Sequence, residues 1–152
     1  MKMGSKRMIS MYLGVALLAV GSAFAASVDT IRATVPFDFM IGKQAFTAGE
    51  YSIRQGGAVP GTGADVLVLR PADDRSSYVF LANSAARVTK PQPQTKLIFH
   101  RYGNRYFLRE IWVQGELSGN RLPPTAAERE AGMSSMTSRN GAPDEVIVLA
   151  TR

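Results

Sequence analysis

The segment Lys96–Val113 (KLIFHRYGNRYFLREIWV) restricts the possible fold more than any other part of the sequence. Two runs of β-forming residues flank Gly103-Asn104, a dipeptide that tolerates the positive φ angles of a tight turn. The segment is therefore predicted to form a β-hairpin in which Tyr102 lies opposite Arg105. Such a hairpin requires an antiparallel sheet as its framework.

The residues of this hairpin alternate between its two faces. The face richer in apolar side chains is expected to pack on the core and carries Leu97, Phe99, Arg101, Tyr106, Leu108, Glu110 and Trp112. The opposite face carries Ile98, His100, Tyr102, Arg105, Phe107, Arg109 and Ile111. A one-residue bulge would move the residues beyond it in one strand to the other face, so this assignment depends on an unbroken register.

Further β-rich runs recur along the chain, with Gly- and Pro-containing turns about every 8–12 residues. The predicted strands lie in Val28–Ile41, Ala45–Arg54, Asp65–Arg70, Ser76–Val88 and Asp144–Arg152. We expect Phe37, Phe39 and Ile41 to share one face, because they are spaced by two. Residues 26–152 are predicted to form one all-β domain, either an antiparallel β-sandwich or a partly open barrel.

Three local features refine this prediction. Gln55–Ala64 contains four glycines and one proline, which is typical of a loop. Asp65–Arg70 is expected to be buried on both faces, and the last strand to lie in the middle of the sheet. Thr125 and Glu128 have the spacing of a capping box, so a helix of about two turns is predicted near 125–132, with Gly132 ending it.

The first 25 residues have the three-part layout of a secretory signal peptide. The positive start contains Lys2, Lys6 and Arg7, and the apolar run is Met11–Val20. The Ala-x-Ala cleavage site is Ala23-Phe24-Ala25. We predict cleavage after Ala25 and export across the inner membrane, to the periplasm or the medium. The alternative is an uncleaved anchor that keeps the protein at the membrane, because Met8–Val28 contains no charged residue.

The composition excludes several classes of protein and site. The chain has no cysteine, which rules out disulfide-stapled folds, thiolate-ligated metal sites and lipid-anchored lipoproteins. Three of the 18 Lys and Arg residues lie in the predicted signal peptide, so the mature chain would have a net charge of +3. The sequence has no run of basic residues, and an exported protein rarely meets nucleic acid, so no nucleic-acid partner is expected.

The sequence shows no catalytic motif. His100 is the only histidine, and neither a nucleophile elbow nor a paired-histidine metal motif accompanies it. We therefore predict a non-enzymatic protein with no metal site and no cofactor. The alternative is a small hydrolase of envelope polymers that would use Asp38, Glu50 or His100 as acid or base.

The second face of the hairpin is the candidate binding surface. It combines aromatic rings with guanidinium groups, in His100, Tyr102, Arg105, Phe107 and Arg109. Aromatic faces stack on sugars and on peptide side chains, and arginine pairs with carboxylates or stacks on rings. The alternative is that these groups shield one another while the short helix covers them.

Three segments of the chain resemble a family of small secreted bacterial proteins to which no activity is attached. They are VPFDFMIGKQAFTAGEY (Val35–Tyr51), KLIFHRYGNRYFLREIW (Lys96–Trp112) and AERE (Ala127–Glu130). The resemblance covers most of the mature chain and implies export and a single β-rich domain. Our leading prediction is an exported binding module of the envelope or secretome that recognises a protein or a glycan. A purely structural, surface-associated protein is the further alternative.

Overall fold

The computed structural model describes residues 30–73, 75–85, 87–136 and 142–152. The elements in these ranges are β1 (Thr30–Val35), β2 (Phe39–Ile41), β3 (Gln44–Phe46), β4 (Gly49–Val59), β5 (Ala64–Pro71), β6 (Tyr78–Ser84), β7 (Lys96–Tyr102), β8 (Arg105–Trp112), β9 (Asn120–Arg121), α1 (Ala126–Met136) and β10 (Asp144–Leu149). The predicted all-β class with one short helix is confirmed. The predicted signal peptide, residues 1–25, lies outside the described residues. In the ranges that are described, no helix combines the length and apolar character needed to cross a membrane.

Hydrogen bonds join the strands into one sheet with the neighbour order β1-β4-β5-β6-β9-β8-β2-β3, and β7 connects β8 to β10. All strand pairs are antiparallel except β2 and β8, which meet in parallel at Met40 and Phe107. β10 leads to the other end of the sheet, where Arg32 and Thr151 exchange two backbone hydrogen bonds of 2.8 and 2.9 Å. Among the described residues this single bridge spans the seam, so the sheet is sandwich-like and does not close into a barrel.

Both halves of the sheet contribute to one core. Phe99 is fully buried at its centre, and the rings of Phe37 and Phe39 meet it edge-on at centroid distances of 5.2 and 5.4 Å. Edge-to-face contacts of this kind add to the stabilisation from burial. Phe39 and Ile41 are buried and Phe37 packs against the same cluster, which confirms their predicted common face.

The β7–β8 hairpin follows the predicted register only near its turn. Tyr102 pairs with Arg105 and Phe99 with Leu108, but Ile98 then pairs with Glu110 because Arg109 forms a bulge. The prediction was therefore wrong for the three residues beyond the bulge, since an extra residue reverses every later side chain. Ile111 is in the main core, whereas Glu110 and Trp112 are on the opposite face; Trp112 packs there with Ile98, Ala85 and Val88.

Three other local predictions are wrong in part. β4 continues through Gln55–Val59, where a loop was expected, because these residues pair with β5 across a bulge at Gly56. Within Asp65–Arg70 the buried side chains are Leu67 and Leu69, while Val66 and Val68 remain partly exposed. β10 lies next to the seam and buries Val148, but Ile147 and Leu149 on its other face are 53% and 59% exposed.

The helix begins where predicted but does not end at Gly132. α1 runs on to Met136, and Gly132 lies inside it, where a Cβ would be 3.4 Å from the Tyr102 ring. A glycine in a helix interior costs about 1 kcal/mol relative to alanine. Packing of α1 on β7 offsets this cost, so the glycine does not act as a stop.

Candidate functional site

The candidate binding surface lies on the outer face of the β7–β8 hairpin, beneath α1. His100 and Tyr102 are on β7, Arg105 and Phe107 are on β8, and Arg109 is the bulged residue. Phe107 is only 2% exposed, and Arg105 is exposed, while the other three are partly buried. The structure therefore brings the five predicted residues together, and the helix covers part of them.

Glu128 of α1 connects the helix to this surface. Its side chain is 5% exposed, and its two carboxylate oxygens lie 3.2 Å from His100 Nδ1 and 3.3 Å from Arg109 Nη1. An ionised carboxylate can only accept hydrogen bonds, so a hydrogen bond at this contact requires a hydrogen on His100 Nδ1. Arg109 supplies the positive charge that a buried carboxylate needs. These contacts hold the helix at a fixed position over the hairpin.

The capping box at the start of α1 is confirmed for its first half. The Glu128 backbone N–H donates to Thr125 Oγ1 at 3.1 Å, as the spacing predicts. The Glu128 carboxylate was expected to return to the Thr125 N–H, but it instead reaches His100 and Arg109. That part of the prediction was wrong, because two partners on the sheet compete for the same oxygens.

The bulge explains how Arg109 reaches the helix. The side chain of the extra residue contacts Glu128 of α1. Its carbonyl accepts the Leu122 N–H, just after β9, at 2.8 Å. Arg109 Nε is buried and has no hydrogen-bond partner among the described residues. The guanidinium is thus held mainly by Glu128.

Tyr102 lies at the boundary of the surface and is partly buried. Its ring meets those of His100 and Phe107 nearly edge-on, at centroid distances of 6.4 and 6.0 Å. Burial raises the pKa of its hydroxyl above the ordinary value of 10.0, the nearby Glu128 carboxylate raises it further, and Arg109 acts in the opposite direction. The hydroxyl therefore remains protonated, and able to donate a hydrogen bond, well above neutral pH.

A groove of about 560 Å³ runs between Tyr102 and α1. Its other walls are Pro124, Ala126, Glu128, Arg129, Gly132 and Met133. Met133 is 65% exposed and lines the same groove as Tyr102. The groove thus offers an apolar contact surface with Arg129 at its edge.

The residues of the alternative hydrolase are not brought together. Asp38 Oδ1 accepts the Ala48 N–H at 2.8 Å, and within the described ranges no hydrogen bond or ion pair connects Asp38, Glu50 and His100. Asp38 and Glu50 line two separate hollows, and His100 lines neither. The part of the chain that the structure describes also contains no group of three or more potential metal ligands.

Sequence reasoning identified Glu128 as a helix cap but missed that it connects the helix to the hairpin. Glu128 and His100 are 28 residues apart in the sequence, so no local pattern indicates their contact. The capping box was the sequence feature that drew attention to Glu128. No protein-family model matches the sequence, and neither the curated proteins nor the solved structures include a match. The family resemblance of the three segments therefore stays a prediction.

Proposed function

We propose that this protein is an exported binding module and that its partner contacts the groove between Tyr102 and α1. The observation that carries the proposal is the open apolar groove itself, with the Tyr102 ring on one wall and the exposed Met133 on the other. Exposed apolar patches bordered by polar groups are common at sites of protein interaction. Export is proposed on the signal-peptide pattern of residues 1–25.

The five residues of the candidate surface divide into two roles under this proposal. Phe107, His100 and Arg109 support the surface, because the first is buried and the other two bind Glu128. Tyr102 and Arg105 remain accessible to a partner. The Arg105 guanidinium lies 5.3 Å from the Phe107 ring centre, a cation–π distance, but Arg105 lines the hollow of Asp38 and not the groove beside α1.

The lining of the groove favours a protein segment over a glycan as partner. Tyr102 could stack on a sugar, but Met133, Pro124 and Ala126 add apolar surface without hydrogen-bonding side chains. Apolar side chains of a peptide gain more from such a surface than hydroxyl-rich sugars do, because burying polar groups without partners is costly. Methionine also adapts its shape to different apolar partners.

A pair of matched variants tests the proposal. Met133→Lys places a charge in the groove, whereas Leu81→Lys places one at a residue of β6 that is similarly exposed, at 54%, and outside the groove. We expect Met133→Lys to reduce the recovery of partner protein from an envelope extract about ten-fold or more and Leu81→Lys to leave it unchanged. Both variants should keep the wild-type melting temperature.

Equal recovery by the two variants would refute the groove as the contact surface. Co-sedimentation of the same variants with purified cell-wall polysaccharide separates the two partner classes. A loss of sedimentation confined to Met133→Lys would assign the groove to a glycan instead. A variant carrying Arg109→Ala is unsuitable here, because it would remove the main partner of the buried Glu128 carboxylate.

A further inference from the structure

A second hollow, of about 250 Å³, opens at one end of the core. Its floor is made of aliphatic side chains from four strands, each at most 6% exposed: Ile31, Ile53, Leu67 and Ile111. It shares no lining residue with the groove beside α1. An apolar floor reached from the mouth of a β-structure, with a few polar groups around it, is the usual form of a small-molecule site.

The mouth of this cavity is polar and acidic. Its polar side chains are Gln55, Asp65, Ser84, Glu116, Ser118 and Asn120. No Lys, Arg or His is found among the described residues that line it. In the described ranges neither Asp65 nor Glu116 takes part in an ion pair. Two uncompensated carboxylates beside an apolar wall attract a cation, although the chain as a whole is positively charged.

The loop that carries Glu116 is held firmly at the mouth. The Gln92 N–H donates to the Glu116 carbonyl at 3.0 Å, and the Ala85 N–H donates to the Gly119 carbonyl at 2.7 Å. Gly119 packs so closely that a Cβ there would lie 2.7 Å from both the Ile111 carbonyl oxygen and Trp112 Cδ2. The backbone of the loop is therefore fixed, while the Glu116 side chain itself is exposed to solvent.

We propose that this cavity binds a small aliphatic amine in its protonated form. The alkyl chain would enter the aliphatic floor, and the ammonium group would lie at the mouth beside Asp65 and Glu116. The volume of about 250 Å³ is below the roughly 300–1,000 Å³ that is usual for ligand sites, so a short alkylammonium ion fits better than a larger ligand. This proposal is independent of the partner proposed for the groove, since the two sites have no residue in common.

Three probes of equal chain length test the charge preference: n-hexylamine, 1-hexanol and hexanoate. They are titrated into the protein purified from its producing cells, and binding is followed by the NMR shifts of the Ile31, Ile53 and Ile111 methyl groups. We expect hexylamine at pH 7 to bind about ten-fold more tightly than hexanol, and hexanoate to bind more weakly still. Equal affinities for the three probes, or a preference for hexanoate, would overturn the proposal. Unchanged methyl signals at about 10 mM hexylamine would overturn it as well, because this concentration is well above a dissociation constant of about 1 mM and would nearly fill the site.

Variants of the mouth provide the second arm. Asp65→Asn and Glu116→Gln should each weaken hexylamine binding by about two- to five-fold, the range expected for ion pairs near the surface, and should leave hexanol binding unchanged. Glu145→Gln, on exposed β10, is the matched control and should have no effect. Unaltered hexylamine binding in both folded variants of the mouth would also refute the proposal. If either variant fails to fold, the comparison of hexylamine with hexanoate on the natural protein decides the question.

Discussion

Replacing Glu128 by alanine should destabilise the protein far more than a typical helix substitution. The variant removes the carboxylate that receives hydrogen bonds from His100 and Arg109 and leaves the Arg109 guanidinium mostly buried without its negative partner. Arg109 Nε already has no partner among the described residues. The remaining charge would therefore have to be desolvated without compensation or move toward solvent.

The size of the effect follows from burial. Removing one member of a buried ion pair costs about 3–5 kcal/mol. The side chains of Arg109 and His100 are 12% and 23% exposed, so water screens part of the loss and the lower end of the range applies. We expect the free energy of unfolding to fall by about 3 kcal/mol, which lowers the melting temperature of a domain of this size by about 10 °C.

Urea unfolding followed by circular dichroism measures this loss directly. Glu130→Ala is the matched control, because Glu130 is an exposed residue of the same helix; it should cost less than about 1 kcal/mol. Combining Glu128→Leu with Arg109→Met should recover most of the stability, because no charge then remains buried. A loss for Glu128→Ala no larger than that of Glu130→Ala would refute the reasoning.

Three further predictions concern single residues. Because the pKa of Tyr102 is raised in the folded state, its contribution to stability is complete below pH 10 and is lost as the pH rises toward the folded pKa. The free energy of unfolding, measured with urea above pH 10, should therefore fall less steeply with pH for Tyr102→Phe than for the natural protein. Gly119→Ala should cost about 2–3 kcal/mol in thermal unfolding, because the new Cβ would meet the backbone and ring of β8 at 2.7 Å. Gly132→Ala should instead stabilise by about 0.5 kcal/mol in the same assay, since the 3.4 Å approach to Tyr102 leaves room for a methyl group and alanine favours the helix.

The sequence predicts the parts of the fold that depend on neighbours along the chain. Gly103-Asn104 selects the hairpin turn, and the spacing of Phe37, Phe39 and Ile41 places them on one face. The bulge at Arg109 could not be found this way, because it depends on contacts with Leu122 and Glu128 that only the folded chain makes.

The same distinction applies to the two candidate sites. The aromatic and basic residues of the hairpin were predicted to lie together because their register follows from a local turn. The cavity was missed because its floor comes from four strands distant in sequence and its mouth depends on the loop that packs against Trp112 through Gly119. The extension of β4 into Gln55–Val59 was missed for a related reason, since those residues have no apolar pattern and pair only because β5 lies beside them.

The bridge between Arg32 and Thr151 has a consequence for the order of folding. The two residues are 119 positions apart in the chain, and contacts over such long separations form late because a large loop must close first. The edges of β1 and β10 should therefore stay open while the rest of the sheet assembles, and the amides of Arg32 and Thr151 should exchange with solvent early. Pairing of these two distant segments is therefore expected to be the last step that completes the sheet.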